Sequence, residues 1–147
     1  MAEFVMKQLC CDAGVDERFE IGSAAVSTEE MGNDIYPPAQ RKLREKGVAF
    51  TGHAARQVTR ADYDYYDYLL CADQSNLRWL ERIIGDDHDG KVSLMMQWVD
   101  GRLVNGQIVN DKMVNISDPW YTGDFEQAYQ DILLSCRAIL STLLRCA

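Results

Sequence analysis

Asp67–Ile84 reads DYLLCADQSNLRWLERII. Its first part, Asp67–Asp73, is a compact apolar run with polar ends. That pattern suits a strand buried on both faces of a parallel sheet. The period then changes: from Ser75 to Ile84, Leu77, Leu80, Ile83 and Ile84 fall on one helical face. Gly85-Asp86-Asp87-His88-Asp89-Gly90 is a loop, and Lys91–Val99, KVSLMMQWV, is the next expected strand.

The alternation continues outward. Ala2–Ala13 predicts a helix with Phe4, Val5 and Leu9 near one face and Gly14 as its stop. Phe19–Val26, FEIGSAAV, predicts a strand ending in small residues. Pro38 opens a helix through Lys46, and Gly47 ends it. Thr59-Arg60-Ala61-Asp62 resembles a capping box, so a short helix to about Tyr66 follows. Asn105-Gly106 lies between Leu103-Val104 and Ile108-Val109, a hairpin signal. Asp118-Pro119-Trp120-Tyr121 reads as a loop. The last helix, Asp124 to Leu144, carries the stripe Phe125, Ala128, Ile132, Cys136, Ile139, Leu143. Strands alternating with helices predict an α/β fold of three layers, a parallel sheet with helices on both faces. The 147 residues, 47% of them hydrophobic, fit one domain over 1–147.

Composition narrows the function. The net charge of −8, with no basic stripe, argues against a nucleic-acid partner. No apolar run is long enough to span a membrane, and Met1–Cys11 lacks the pattern of a signal peptide. The five cysteines, Cys10, Cys11, Cys71, Cys136 and Cys146, make a poor disulfide framework, and a reducing cytoplasm is the expected compartment. Neither their spacing nor that of His53 and His88 suits a metal site, and no cofactor is expected.

Several stretches, in this order, resemble the low-molecular-weight protein tyrosine phosphatase family: MAEFVMKQL, FEIGSAAVS, the block RKLREKGVAFTGHAARQVTRADYDYYDYLLCADQSNLRWL, and DPWYTGDFEQAY. The resemblance covers nearly the whole chain except Gly101–Ile116. It implies a phosphotyrosine phosphatase I-like fold and hydrolysis of phosphotyrosine on protein substrates through a cysteinyl-phosphate. The family begins with a short apolar strand and a C-x5-R-S/T-P loop, whose cysteine is the nucleophile and whose backbone cradles phosphate. Neither occurs here. Cys11 and Arg18 are separated by six residues rather than five, with Asp12, Asp16 and Glu17 between them. Carboxylates there repel phosphate.

By the same resemblance Asp118 is the general acid and base, and Trp120 and Tyr121 wall the slot for the phosphorylated ring. Glu3, His53 and Asp73 match residues that support the phosphate loop. Plainer roles stand beside these. Asp118 suits a turn starter, Glu3 a first-turn helix acid, Asp73 a helix cap and His53 a turn histidine. Trp120 and Tyr121 also suit aromatics that pin the last helix. Tyr63, Tyr65, Tyr66 and Tyr68 read as core and rim packing.

The comparison places Met1 just after the family's phosphate loop, so the coding sequence upstream is expected to encode the strand and loop. Without the first central strand, the flanking strands are expected to close up, to admit another segment such as Leu103–Val109, or to pair with a second copy in a homodimer through the exposed sheet edge. The chain is expected to be inactive. The alternative is a non-catalytic pseudo-phosphatase or an oligomeric binding module; arsenate reduction needs the same missing loop.

Overall fold

The computed structural model describes residues 1–27 and 32–145. Two strands form the centre: β1 (Leu69–Cys71) and β2 (Val92–Leu94), paired in parallel with Leu69 opposite Val92 and Cys71 opposite Leu94. Side chains alternate across a strand. Leu69 and Cys71 face one apolar cluster, while Leu70 and Ala72 pack on the other. The first cluster holds Val58, Tyr63, Leu80, Ile84 and Leu94. The second, larger one holds Phe4, Val5, Cys10, Leu43, Trp98, Ile132, Cys136 and Ile139. Helices therefore cover both faces of a small parallel sheet, the layered α/β arrangement expected.

Among the described residues there are six α-helices: α1 (Ala2–Asp12), α2 (Pro37–Glu45), α3 (Arg60–Tyr65), α4 (Gln74–Ile84), α5 (Pro119–Thr122) and α6 (Phe125–Arg145). Asp73 caps α4 by accepting the Asn76 N–H at 2.8 Å, and Arg60 Nη1 donates to the Ile84 carbonyl at its other end, 2.7 Å away. The predicted capping box is present at α3: the Thr59 N–H donates to Asp62 Oδ2 at 2.8 Å and the Asp62 N–H to Thr59 Oγ1 at 3.4 Å. Arg56 grips the same carboxylate with both terminal nitrogens, at 2.8 and 2.9 Å. In α1 the core side chains are Phe4, Val5, Met6 and Cys10, with Leu9 only partly covered. Of the α6 stripe, Ala128, Ile132, Cys136 and Ile139 are buried, while Phe125 and Leu143 at its ends are half-buried, and Asp124 accepts the Gln127 N–H at 2.9 Å. Asp87 anchors the loop after α4. It accepts from the Tyr63 hydroxyl and the Lys91 N–H, both at 2.7 Å, and from the Val92 N–H at 3.0 Å.

The structure departs from the sequence reading in several places. Phe19–Val26 is not a ladder-forming strand. Phe19 is extended, but the segment makes only one parallel bridge, Ala25 to Gln57. Extended backbone becomes a strand only when a neighbour takes its N–H and C=O groups, and none lies alongside 19–24 among the described residues. Lys91–Val99 is a strand only as far as Leu94. Trp98 is buried at 1% exposure with its indole N–H on Ser93 Oγ at 3.0 Å. Folding Trp98 back over Ser93 turns Met95–Trp98 into a 3₁₀ helix. Asp118–Tyr121, expected as a loop, enters the single turn α5, because proline at a first helical position is preset for it.

The Asn105-Gly106 hairpin forms as predicted. β3 (Arg102–Val104) and β4 (Gln107–Val109) are antiparallel, and both turn residues have positive φ, +52° and +78°. That is the type I′ geometry. The hairpin pairs with itself and does not insert beside β1. Leu103 and Ile108 face the core, and Asn110 Nδ2 ties its base to the carbonyls of Gln97 and Val99 at 3.0 Å each. β1 meets β2 through the groups of Leu69 and Cys71, as the Leu69 N–H bond to the Lys91 carbonyl at 3.0 Å shows. Leu70 therefore faces the opposite edge. There the Ala72 carbonyl accepts the Ile116 N–H at 2.9 Å.

Two measurements check this construction. A Cβ added at Gly101 would lie 2.3 Å from the Gln97 backbone carbonyl oxygen. Gly101→Ala is expected to destabilise the chain by about 1–3 kcal/mol in urea unfolding, the usual range for an overpacked site; an unchanged midpoint contradicts the close approach. For the Arg56–Asp62 pair, the guanidinium is the main cause that holds the Asp62 carboxyl below its ordinary value of 3.8. A depressed carboxylate stabilises the fold above its unfolded pKa and loses that contribution as pH falls through the folded value. Asp62→Asn is thus expected to cost stability at neutral pH, with the deficit shrinking in strong acid. A deficit that is the same at neutral and strongly acid pH contradicts the linkage.

Candidate active site

Two groups of side chains carry the candidate chemistry, and different elements position them. The first gathers on α1. Glu3, in its first turn, has a side chain only 10% exposed. Ser23 Oγ donates to Glu3 Oε1 at 2.6 Å, and Lys7 Nζ donates to Glu3 Oε2, also at 2.6 Å. Ser23 Oγ also lies 3.3 Å from His53 Nε2. Because the serine's one proton is directed to Glu3, its oxygen faces Nε2 as an acceptor. Burial pushes the Glu3 carboxyl up, but the hydrogen bonds from Lys7 and Ser23 outweigh it and hold the group below its ordinary value. His53 is fixed from behind as well. Its backbone N–H donates to Asp34 Oδ1 at 2.9 Å, and the Ile35 N–H donates to the same oxygen at 2.7 Å. Those two backbone donors hold the Asp34 carboxyl below its usual range. The expected pair Glu3 and His53 is thus brought together through Ser23.

The second group sits at the carboxyl end of β1. Asn115 Oδ1 accepts the Gln74 N–H at 3.0 Å, the Ile116 N–H reaches the Ala72 carbonyl, and the Ser117 N–H donates to Asp131 Oδ2 at 3.0 Å. One short segment is thereby stitched to β1, to the start of α4 and to α6. It delivers Asp118, which is exposed and whose carbonyl receives the Thr122 N–H at 3.2 Å as α5 begins. The backbone of Trp120 and Tyr121 lies in α5; their side chains fall outside the described residues. Asp73 stands between the residues this segment binds, Ala72 and Gln74, and its recorded work is the α4 cap.

Sequence reasoning missed Ser23, Asp34 and Asn115. Ser23 sat inside a run of small residues and carried no periodic mark. Asp34 had a local signal, an aspartate just before Ile35-Tyr36-Pro37, where such a side chain turns back on nearby amides. Asn115 acts across the fold and had none. The buried cysteines are poorly suited to act as a nucleophile. Burial pushes the thiols of Cys71 and Cys136 up to about 12, and burial, then Asp16, raises Cys10. Arg18 belongs to a 3₁₀ turn shared with Asp16 and Glu17. Among the described residues no cluster of histidine, cysteine and carboxylate side chains suits a metal ion.

Comparison with known proteins bears on the family and the fold. A relative from Rattus norvegicus, "Low molecular weight phosphotyrosine protein phosphatase", is 36% identical over 142 residues, covering 95% of this chain and 84% of the relative. The "Low molecular weight protein-tyrosine-phosphatase YfkJ" of Bacillus subtilis is 27% identical over 143 residues, 97% of this chain and 86% of its own. Its crystal structure superposes with a TM-score of 0.85, covering 98% of this chain and 85% of that one. The low molecular weight protein tyrosine phosphatase SP-PTP from Streptococcus pyogenes is 29% identical with a TM-score of 0.77, over 95% and 81% of the two chains. The profile of the family described as "Low molecular weight phosphotyrosine protein phosphatase" matches residues 1–146, and the chain belongs to that family.

Proposed function

We propose that the carboxyl end of β1 is a phosphotyrosine-directed site, with Asp118 as its acid and base and Trp120 and Tyr121 as the walls of its ring slot. One observation carries this reading. Asp118 is delivered to the end of a parallel strand by hydrogen bonds to Ala72, Gln74 and Asp131. Ligands of open α/β sheets bind outside the carboxyl ends of the strands. A carboxyl group on that loop can give a proton to a departing phenolate oxygen and later take one from water. Glu3, Ser23 and His53 are positioning residues: they order the start of α1 and the segment beside it.

The 147 residues contain no cysteine followed six positions later by an arginine, the C-x5-R spacing. The buried thiols do not replace it. With a pKa near 12, Cys71 and Cys136 are thiolate at neutral pH to only on the order of 10⁻⁵. The covalent half of the reaction therefore has no nucleophile in this chain. The reading is a phosphotyrosine-binding site that is catalytically silent as the chain stands, with hydrolysis through a cysteinyl-phosphate the activity of the family it belongs to.

Pure protein of this sequence is expected to show no turnover of p-nitrophenyl phosphate above a buffer blank. Measurable turnover, lost on Asp118→Asn, contradicts the silent site. Calorimetry with a phosphotyrosine peptide is expected to show weak binding. Tyr121→Ala should weaken it by about tenfold, the scale of one lost aromatic contact. Asp118→Asn should strengthen it severalfold, because a carboxylate beside a phosphate dianion repels it. Binding indifferent to both changes places the ligand elsewhere.

A further inference from the structure

Asp118 stands on an exposed stretch whose own helix is too short to hold it. A single helical turn does not persist in isolation, and α5 has only four residues. A chain of hydrogen bonds leaves the stretch at one end and returns at the other. Thr122 Oγ1 donates to the Asp118 carbonyl at 3.2 Å and accepts the Asp124 N–H at 3.1 Å. Asp124 Oδ1 accepts the Gln127 N–H at 2.9 Å. The Gln127 side chain donates through Nε2 to Asp131 Oδ1 at 2.8 Å, and Asp131 Oδ2 accepts the Ser117 N–H at 3.0 Å. Ser117 is joined covalently to Asp118, so the circuit is complete.

Gln127 joins the two arms of this circuit. Its main chain holds the Asp124 end and its side chain, through Asp131, holds the Ser117 end. Asp124, Gln127 and Asp131 follow the spacing i, i+3, i+7, which lines one face at the start of α6. A carboxylate only accepts, so the Gln127 amide presents its nitrogen to Asp131. With one oxygen turned to Gln127, Asp131 keeps the other turned to Ser117. We propose that Gln127 is the positioning residue of the acid-bearing stretch: it clasps both ends of residues 117–124 to α6 and so sets where Asp118 and the aromatic pair after it stand. This rests on the reading of Asp118, Trp120 and Tyr121 given above. The clasp works by preorganisation, since a ligand that meets the stretch already in place does not have to order it. The effect of Gln127 passes through Asp131 and Asp124, not through contact with ligand.

Amide hydrogen exchange of the full chain, read residue by residue by NMR, tests the clasp. Gln127→Ala leaves the net charge unaltered. It should speed exchange at Ser117 about three- to tenfold, the scale of one lost hydrogen bond, with exchange at Cys71 in β1 little changed. Gln127→Glu should open the clasp as well, because it sets a second carboxylate against Asp131 at i, i+4. Adding Asp131→Asn to Gln127→Glu should restore slow exchange. The amide at 131 then donates to the carboxylate at 127 and still accepts from Ser117, and the net charge equals that of the parent chain. Exchange at Ser117 that neither single variant alters overturns the proposal. So does a gain shared equally by Cys71, which marks a general loosening, and so does a double variant that stays open. Affinity for a phosphotyrosine peptide should fall severalfold in Gln127→Ala and Gln127→Glu and return in the double variant. Exchange that follows the expected pattern while peptide affinity does not upholds the clasp and overturns the reading of the site on which it rests.

Discussion

The parallel contact of β1 with β2 is the constraint around which the chain is organised. Each strand contributes only three residues, too few to hold as an isolated ribbon in water. What holds them is cover on both sides. Leu69 and Cys71 are sealed by α3 and α4, Leu70 and Ala72 by the α1–α6 side. Asp87 closes the far end by taking the amides of Lys91 and of Val92, where β2 begins. The candidate site inherits its position from this contact. Asp118 is where it is because Ile116 and Asn115 are hydrogen-bonded to the residues that leave β1 and enter α4.

What the sequence made legible has a common character: the signals were local. The Thr59–Asp62 cap, the Asn105-Gly106 turn and the apolar stripe of α6 each depend on residues within a turn or two of one another, and each is present. Most of what it hid depends on packing that a local pattern does not record. Phe19–Val26 has the composition of a strand, yet composition does not supply a neighbour, and the segment stays extended with a single bridge. Lys91–Val99 has an unbroken apolar run. The pull of Trp98 into the core and onto Ser93 ends the strand at Leu94. The short helix α5 was masked by the usual reading of Asp-Pro as a turn, though the same proline starts a helix equally well.

The site divides in the same way. Glu3, His53 and Asp118 came from a resemblance, not from periodicity or spacing. The structure adds what joins the first two, a serine between carboxylate and imidazole. Ser23 was invisible because a hydroxyl amid small residues has no pattern of its own. Asp73 shows the opposite case: its structural part as the cap of α4 was readable from the position before a helical run, and that is the part observed.

The two apolar clusters meet at a shared wall, the three residues of β1. Neither can come apart without baring one side of the same strand to water, and the other cluster then loses the surface it was packed on. Cooperativity follows from that single partition. The helices of both layers should be lost together in one transition, rather than layer by layer, because no stable half exists to remain behind.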